Sequence, residues 1–201
     1  MSKVTAFPVY ENRRRALLPL GYNTPSLVAF TGPAGSGKST AAEYLIAKHG
    51  FVRVRFAGPL KDMMRAIGLG EAEIEGHLKE VPSPILMGRT PRHAMQALGT
   101  EWGRDLIHPN FWISLWQRTA CDVLDHGGRV VVDDCRFDNE AVALRSIGGV
   151  IYRLEDRGGI SGGHVSEAQT VVADGIISNA GSVADLHGAL DRLAEVRAVA
   201  A

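Results

Sequence analysis

The segment GPAGSGKS, residues 32–39, matches the pattern G-x-x-x-x-G-K-[ST] in full. Its glycines let successive backbone N–H groups point inward around an anion, and a following helix would add the positive end of its dipole. Lys38 is placed to reach terminal phosphates, and the Ser39 hydroxyl is placed to hold Mg²⁺. A chance glycine-rich turn is the alternative, but the motif follows a predicted strand and opens a predicted helix. We therefore expect a phosphate-binding loop, called the phosphate loop below.

A second candidate is the segment VVVDDCRFDNE, residues 130–140, in which an apolar run ends in two adjacent carboxylates. A nucleotide–Mg²⁺ site needs a carboxylate at the carboxyl end of a neighbouring strand. Since side chains alternate along a strand, only one of Asp133 and Asp134 is expected to face the phosphate loop. The alternative interpretation is a solvated turn after a core strand.

The segment RLEDRGGISGGHVSE, residues 153–167, is irregular and rich in glycine, and it contains two arginines, Arg153 and Arg157. Guanidinium groups on a mobile lid would neutralise charge on transferring phosphates. An ordinary surface loop is the alternative. His164 is expected to support this lid rather than bind a metal.

A polar set is predicted in the middle of the chain, where Thr90-Pro91-Arg92 begins a helix. Arg92, Gln96 and Arg104 are expected near one helix face, where two arginines and an amide would hold a second phosphate and a base edge. A solvated polar face explains the same pattern. Three nearby aromatic residues are expected to pack in the core or at an oligomer interface rather than to stack on a base: Phe111, Trp112 and Trp116.

The elements that must position these residues alternate between strands and helices. Strands are predicted at 27–31, 51–56, 129–133, 150–154 and 175–178, and helices at 38–48, 110–126, 139–146 and 183–196. This order predicts an α/β fold with a doubly wound, five-stranded parallel sheet. Residues 1–26 are expected to form an N-terminal extension and residues 27–201 the main domain. Within that domain we expect a helical insertion at 58–105 and a lid at 155–167.

Composition excludes some classes of partner. The chain has 22 basic and 22 acidic residues, so its net charge gives no reason to expect binding to duplex nucleic acid or to an anionic membrane. Cys121 and Cys135 form no CxxC pair, and the seven histidines show no metal-binding spacing. The cysteine usage and the lack of a long apolar run favour a cytoplasmic location.

The order of the motifs resembles a known family. The phosphate loop is followed by FAGPLK (56–61), TPR (90–92) with Gln96, LGTEWGR (98–104), DCRFDNE (134–140), HVSE (164–167), and a late Asp174 and Asn179. Together they resemble the phage and prophage deoxynucleoside monophosphate kinases, a branch of the P-loop nucleoside monophosphate kinases within the P-loop NTPase fold. The resemblance covers about Leu27 to Leu193, and the combined order is far more specific than the phosphate loop alone.

The resemblance implies transfer of the ATP γ-phosphate to a deoxynucleoside monophosphate. It implies ATP contacts at Gly32, Ala34, Gly35, Ser36, Gly37, Lys38, Ser39, Thr40 and Asn179. It implies monophosphate contacts at Lys61, Arg92, Gln96, Arg104, Asp134 and Arg136. Catalytic roles would fall to Lys38, Asp134, Arg136, Arg153 and Arg157, and the Mg²⁺ ligands would be Ser39 and Asp134, with Asp133 in reserve.

Two other functions remain open at this point. A P-loop kinase of another small acceptor, such as dephospho-coenzyme A, would share the mechanism and differ in what fills the insertion. A nucleotide-dependent switch or ATPase is the alternative from another class, and the lack of a basic stripe counts against a nucleic-acid-associated ATPase. A homodimer is compatible with the aromatic residues noted above.

Overall fold

A parallel five-stranded sheet organises the molecule, as the sequence predicts. The computed structural model describes residues 25–158 and 171–194. The strands are β1 (Leu27–Thr31), β2 (Phe51–Arg53), β3 (Arg129–Val132), β4 (Val150–Glu155) and β5 (Gly175–Ser178). They lie in the order β2-β3-β1-β4-β5, and every neighbouring pair is parallel.

Helices cover both faces of this sheet, which confirms the doubly wound prediction. The helices are α1 (Lys38–His49), α2 (Gly58–Ala66), α3 (Glu71–Ile74), α4 (Pro91–Ala97), α5 (Phe111–Asp125), α6 (Asp138–Ser146) and α7 (Val183–Ala194). One core joins α1 and α7 to side chains such as Val28, Phe30 and Val131. The other joins α5 and α6 to the opposite face. The two central strands, β1 and β3, are almost wholly buried, which explains why their sequences are continuously apolar.

The connection from β2 to β3 contains only helices and turns. Thr90 caps α4, since its hydroxyl accepts the His93 N–H at 3.2 Å, and Pro91 occupies the first helical position. The helix then widens into a π-helical segment, Leu98–Ile107, before α5. A separate small core holds these elements together; its buried members are Leu60, Met64, Leu69, Ile74 and Trp112.

The aromatic residues near α5 pack in the interior, as expected. Trp116 is fully buried, stacks on Phe56, and donates its indole N–H to the Val54 carbonyl at 3.1 Å. Trp112 donates to the Gly99 carbonyl at 2.8 Å, and Phe111 contacts its ring edge to face. The indole groups thus tie α5 both to the end of β2 and to the π-helical segment.

The predicted boundaries differ from the structure at the carboxyl end of β2. A strand was expected to run to Phe56, but it ends at Arg53 because the chain turns there, with the Gly58 N–H bonded to the Arg55 carbonyl at 3.1 Å. Residues 1–24 of the N-terminal extension and residues 159–167 of the lid, which include His164, lie outside the described residues. Within the described ranges, no helix is long and apolar enough to cross a membrane.

Candidate active site

The sheet order brings the two main motifs to one edge. β1 and β3 are adjacent, with Ala29 opposite Val132. The phosphate loop follows β1 and the two aspartates follow β3, so both leave the sheet at the carboxyl ends of neighbouring strands. In open α/β sheets this edge is where ligands bind.

The phosphate loop is built on glycines with positive φ. Gly32, Gly35 and Gly37 have φ of +135°, +77° and +97°. A Cβ on Gly37 would also lie 2.6 Å from the side-chain nitrogen of Asn179. Lys38 folds back over the loop, and its Nζ donates to the carbonyls of Gly32 at 2.8 Å and Pro33 at 2.7 Å.

Asn179 holds the phosphate loop through a side-chain hydrogen bond. The resemblance implied an ATP contact for this residue; the structure buries its side chain, which donates to the Ser36 carbonyl at 2.9 Å. Its backbone N–H donates to the Glu155 carbonyl at 3.0 Å. The loop after β1 is therefore held by the turn after β5, and a contact between this turn and adenine stays a prediction.

Asp133 lies on the same side of the sheet as α1. Its two carboxylate oxygens accept from Arg55 Nε at 2.7 Å and Nη2 at 2.9 Å. Arg53 approaches the same carboxylate at 3.5 Å and also donates to the Ser39 carbonyl at 3.4 Å. Burial would raise the pKa of Asp133, but the hydrogen bonds and charge of Arg55 outweigh it and the pKa lies below its usual value.

Asp134 points to the opposite side of the sheet, where it accepts hydrogen bonds from the backbone. Its oxygens accept the N–H groups of Phe56 and Ala57, each at 3.0 Å. Burial raises its pKa, and the neighbouring Asp133 charge adds to this, against those backbone hydrogen bonds. Asp134 thus anchors the turn that begins the helical insertion.

Cationic side chains gather where the insertion meets this edge. Lys61 Nζ lies 2.6 Å from one oxygen of Glu75, and Arg55 Nη1 lies 2.9 Å from the same oxygen. Arg92 pairs with Glu80, and its backbone N–H donates to the Lys79 carbonyl at 3.0 Å.

The pKa of Lys79 is influenced by several charges of this region. Burial lowers its pKa; the charge of Glu75 opposes this, while the charges of Lys61, Arg92 and Arg136 lower it further. The charges of three predicted acceptor residues therefore act on a lysine that the sequence did not single out.

Arg104 joins this region through a buried glutamate. Glu140 accepts Arg104 Nη2 at 2.8 Å on one oxygen and the N–H groups of Arg136 and Phe137 at 2.8 and 3.2 Å on the other. The guanidinium of Arg104 also lies 4.1 Å from the centre of the Phe137 ring. Burial raises the pKa of Glu140 to about 6. Gln96 is half-buried on α4, one turn after Arg92.

The two lid arginines have different positions. Arg153 lies within β4, and its Nη2 donates to the Val171 carbonyl at 3.2 Å. Arg157 follows the strand and donates to the Gly181 carbonyl at 2.7 Å. The next residue, Gly158, lies against the phosphate loop, where a Cβ would meet the Ala34 carbonyl at 2.3 Å. Both arginines are thus next to a residue that contacts the phosphate loop, since a Cβ on Gly32 would meet the Leu154 carbonyl at 2.5 Å.

The sequence did not indicate several residues of this region: Arg53, Arg55, Glu75, Lys79 and Glu140. Only Arg53 and Arg55 left a usable signal. Two arginines alternate at the end of a predicted strand, and such residues reach a ligand-binding edge in a parallel sheet. The partners of Glu75 and Glu140 depend on tertiary contacts that no local pattern encodes.

Comparisons with known proteins agree with this geometry. A family model described as deoxynucleotide monophosphate kinase matches residues 88–190. A candidate deoxynucleotide monophosphate kinase of Acanthamoeba polyphaga mimivirus is 36% identical over 158 residues, covering 71% of this chain and 81% of that protein. The deoxynucleotide monophosphate kinase of Enterobacteria phage T4 is 25% identical, over 85% of this chain and 99% of the phage protein.

Among solved structures, a Cys556Ala mutant of the APS kinase CysC from Mycobacterium tuberculosis aligns with a TM-score of 0.45 and 14% identity, over 85% of this chain and 98% of that one. The family match spans the second part of the insertion, the two aspartates after β3, and strands β4 and β5. The chain belongs to the deoxynucleotide monophosphate kinase family.

Proposed function

We infer that this protein transfers the γ-phosphate of ATP to a deoxynucleoside monophosphate, giving a deoxynucleoside diphosphate and ADP. The observation that carries this inference is the meeting of two phosphate-binding features at one sheet edge. The phosphate loop supplies the donor side, and Lys61 and Arg55, which share one oxygen of Glu75, supply a separate anion site where the insertion meets this edge. Membership of the family sets the class of the acceptor.

The reaction that we propose needs alignment and charge neutralisation more than proton transfer. The attacking group of a monophosphate is already an anionic oxygen, so no strongly activated base is required. Lys38 follows the glycines of the loop, and its ammonium would exchange the carbonyls of Gly32 and Pro33 for phosphate oxygens. Thr40 and the N–H groups of the loop complete the predicted donor site.

We propose that Mg²⁺ is held near Ser39 with one aspartate. Among the described residues, no group of three or more His, Cys, Asp and Glu side chains could hold a metal. A hydroxyl and one carboxylate suit Mg²⁺, which keeps several waters and takes other ligands from substrate phosphates. When bound, the ion neutralises negative charge on the phosphates.

For the aspartate, we favour Asp133 over the Asp134 that the resemblance suggested. Asp133 lies on the side of α1, next to an arginine that contacts the Ser39 carbonyl. Asp134 uses both oxygens on backbone N–H groups at the start of the insertion. We propose that Asp133 supports the metal site and that Asp134 holds the acceptor side in place.

The acceptor phosphate is proposed to bind at Lys61 and Arg55, with Arg92 and Arg136 as further cations of the acceptor side. Arg104, fixed by Glu140 and stacked on Phe137, borders this group, and we assign it to the nucleoside side together with Gln96. Of the lid arginines, we propose Arg157 as the one that reaches the transferring phosphate, since it follows β4 and precedes Gly158, which lies against the phosphate loop, whereas Arg153 lies within β4.

A coupled assay of ADP release tests the acceptor class. The purified protein is given Mg²⁺–ATP with each deoxynucleoside monophosphate, each ribonucleoside monophosphate and dephospho-coenzyme A. We expect turnover with at least one deoxynucleoside monophosphate and a higher kcat/KM for it than for its ribose counterpart. Turnover with dephospho-coenzyme A alone would place the protein in another class of small-molecule kinase.

A further inference from the structure

The acceptor side contains an internal anion in addition to its cations. One oxygen of Glu75 is shared by Lys61 Nζ at 2.6 Å and Arg55 Nη1 at 2.9 Å. Both cations are largely shielded from solvent, and about a third of the Glu75 side chain is exposed. A single carboxylate oxygen that bridges an ammonium and a guanidinium has the hydrogen-bonding pattern of a phosphate oxygen.

The two cations are held independently of Glu75. Arg55 keeps two hydrogen bonds to the buried Asp133 through its other nitrogens. Lys61 lies on α2, whose Leu60 and Met64 are fixed in the core of the insertion. Loss of the Glu75 carboxylate would therefore leave an assembled pair of cations.

A further lysine, Lys79, is coupled electrostatically to this pair through Lys61. Lys79 is half-buried and senses Lys61, Arg92 and Arg136 as well as Glu75. Arg92 has Glu80 as its partner, and Arg55 has Asp133. Lys61 and Arg55 share a single oxygen of Glu75, so a phosphate, which has more oxygens and more charge, would give each cation an oxygen of its own.

Glu75 is also placed where its side chain can move away. It directly follows α3, a helix of only four residues, at the start of a stretch of turns that reaches Ser83. Its neighbour one turn earlier on α3, Glu71, instead pairs with Arg65 at 2.6 Å.

We propose that Glu75 is a tethered stand-in for the acceptor phosphate: it occupies Lys61 and Arg55 in the substrate-free enzyme and is displaced when the monophosphate binds. This inference rests on the proposed function, because it names the ligand that replaces the carboxylate. The displacement sets the affinity for the acceptor, and Glu75 neutralises the two cations while the site lacks substrate.

The test is steady-state kinetics of Glu75→Gln at saturating Mg²⁺–ATP, with Glu71→Gln as the matched control. Glu71→Gln removes one negative charge within α3, and Glu75→Gln removes one directly after it. Both glutamates lie close enough to influence the same cations. Only Glu75 contacts Lys61 and Arg55. We expect the KM for the monophosphate to fall by about three- to tenfold in Glu75→Gln, with the KM for ATP unchanged. The control should shift the monophosphate KM by less than about twofold.

Other outcomes count against the proposal. A KM for the monophosphate that rises in Glu75→Gln would make Glu75 a residue that positions the cations for substrate. Equal shifts of the monophosphate KM in the two variants would show that Glu75 acts only through its long-range charge.

If the wild-type protein phosphorylates no monophosphate, the proposed function fails, and the internal anion is tested separately. Calorimetric binding of inorganic phosphate is measured with the phosphate loop filled by an unreactive ATP analogue. Tighter binding to Glu75→Gln than to both the wild type and Glu71→Gln supports the stand-in, and equal binding overturns it.

Discussion

The two adjacent aspartates after β3 differ in what their carboxylates contact, and this difference predicts two kinds of defect. Asp133→Asn removes charge beside Arg55 and beside Arg53, the arginine that contacts the Ser39 carbonyl, so we expect a larger loss of Mg²⁺-dependent kcat and a higher Mg²⁺ requirement. Asp134→Asn should mainly lower the free energy of unfolding, by about 1–3 kcal/mol, because an amide nitrogen would face a backbone N–H. Magnesium titrations and urea denaturation of both variants measure the two effects. The opposite ranking in the magnesium titration would return the metal role to Asp134.

Arg92 is expected to act on the acceptor alone. Arg92→Ala removes one of the cations around Lys79 and should raise the KM for the monophosphate by about tenfold, with little change in the KM for ATP. Arg65→Ala is the matched control, because Arg65 lies on the insertion and pairs with Asp62 and Glu71. Equal effects of Arg92→Ala on both substrates would remove Arg92 from the acceptor site.

The pKa of about 6 for Glu140 predicts a pH-dependent contribution to stability. The folded protein binds this proton more tightly than the unfolded chain, whose glutamate has its usual pKa. The contribution of Glu140 to the free energy of unfolding therefore falls as pH rises from about 4.5 to about 6, by about 2 kcal/mol in total. Above that range Glu140 is ionised and holds Arg104.

Chemical denaturation of the wild type and Glu140→Gln between pH 4.5 and 7.5 isolates this effect. The wild type should lose stability relative to the variant as pH rises through that window and then keep a constant difference. A difference that does not change with pH would show that the carboxyl group is not perturbed by burial.

Within single elements, the π-helical segment sets the position of Arg104. Gly103 lies against α5, and a Cβ there would come within 2.3 Å of the indole nitrogen of Trp112. Gly103→Ala should therefore lower the free energy of unfolding by about 1–3 kcal/mol and raise the KM for the monophosphate, since Arg104 is the next residue. Gly58→Ala is a suitable control, because the nearest atom to its Cβ would be 4.0 Å away. Equal stability of the two variants in urea would contradict this packing.

The order and type of the elements could be predicted because each leaves a local pattern. The β-branched run before Asp133 predicts β3, and the glycines and Lys38 predict the turn into α1. The end of β2 was misplaced because Arg55 and Phe56 leave the strand to meet Asp133 and Asp134, 78 residues later in the chain. Side-chain contacts at that separation have no sequence period.

At the scale of the whole molecule, the sheet order joins three separate parts of the chain into one site. β3 lies between β2 and β1, so the turn that begins the insertion and the phosphate loop flank the same two aspartates. The phosphate loop itself was predictable from eight residues. The counter-ions of the acceptor side, Glu75 and Glu140, were not, because the sequence around a glutamate is the same whether its side chain faces solvent or a cation.

The direct test of the central claim is to follow the γ-phosphate itself. Wild-type protein and Lys38→Ala are incubated with γ-labelled ATP, Mg²⁺ and the acceptor preferred in the ADP-release assay. We predict that the label appears in the deoxynucleoside diphosphate, and that Lys38→Ala lowers this rate by about 100-fold or more because the ammonium no longer neutralises the phosphates. Label released only as inorganic phosphate, or a Lys38→Ala rate close to that of the wild type, would contradict the account.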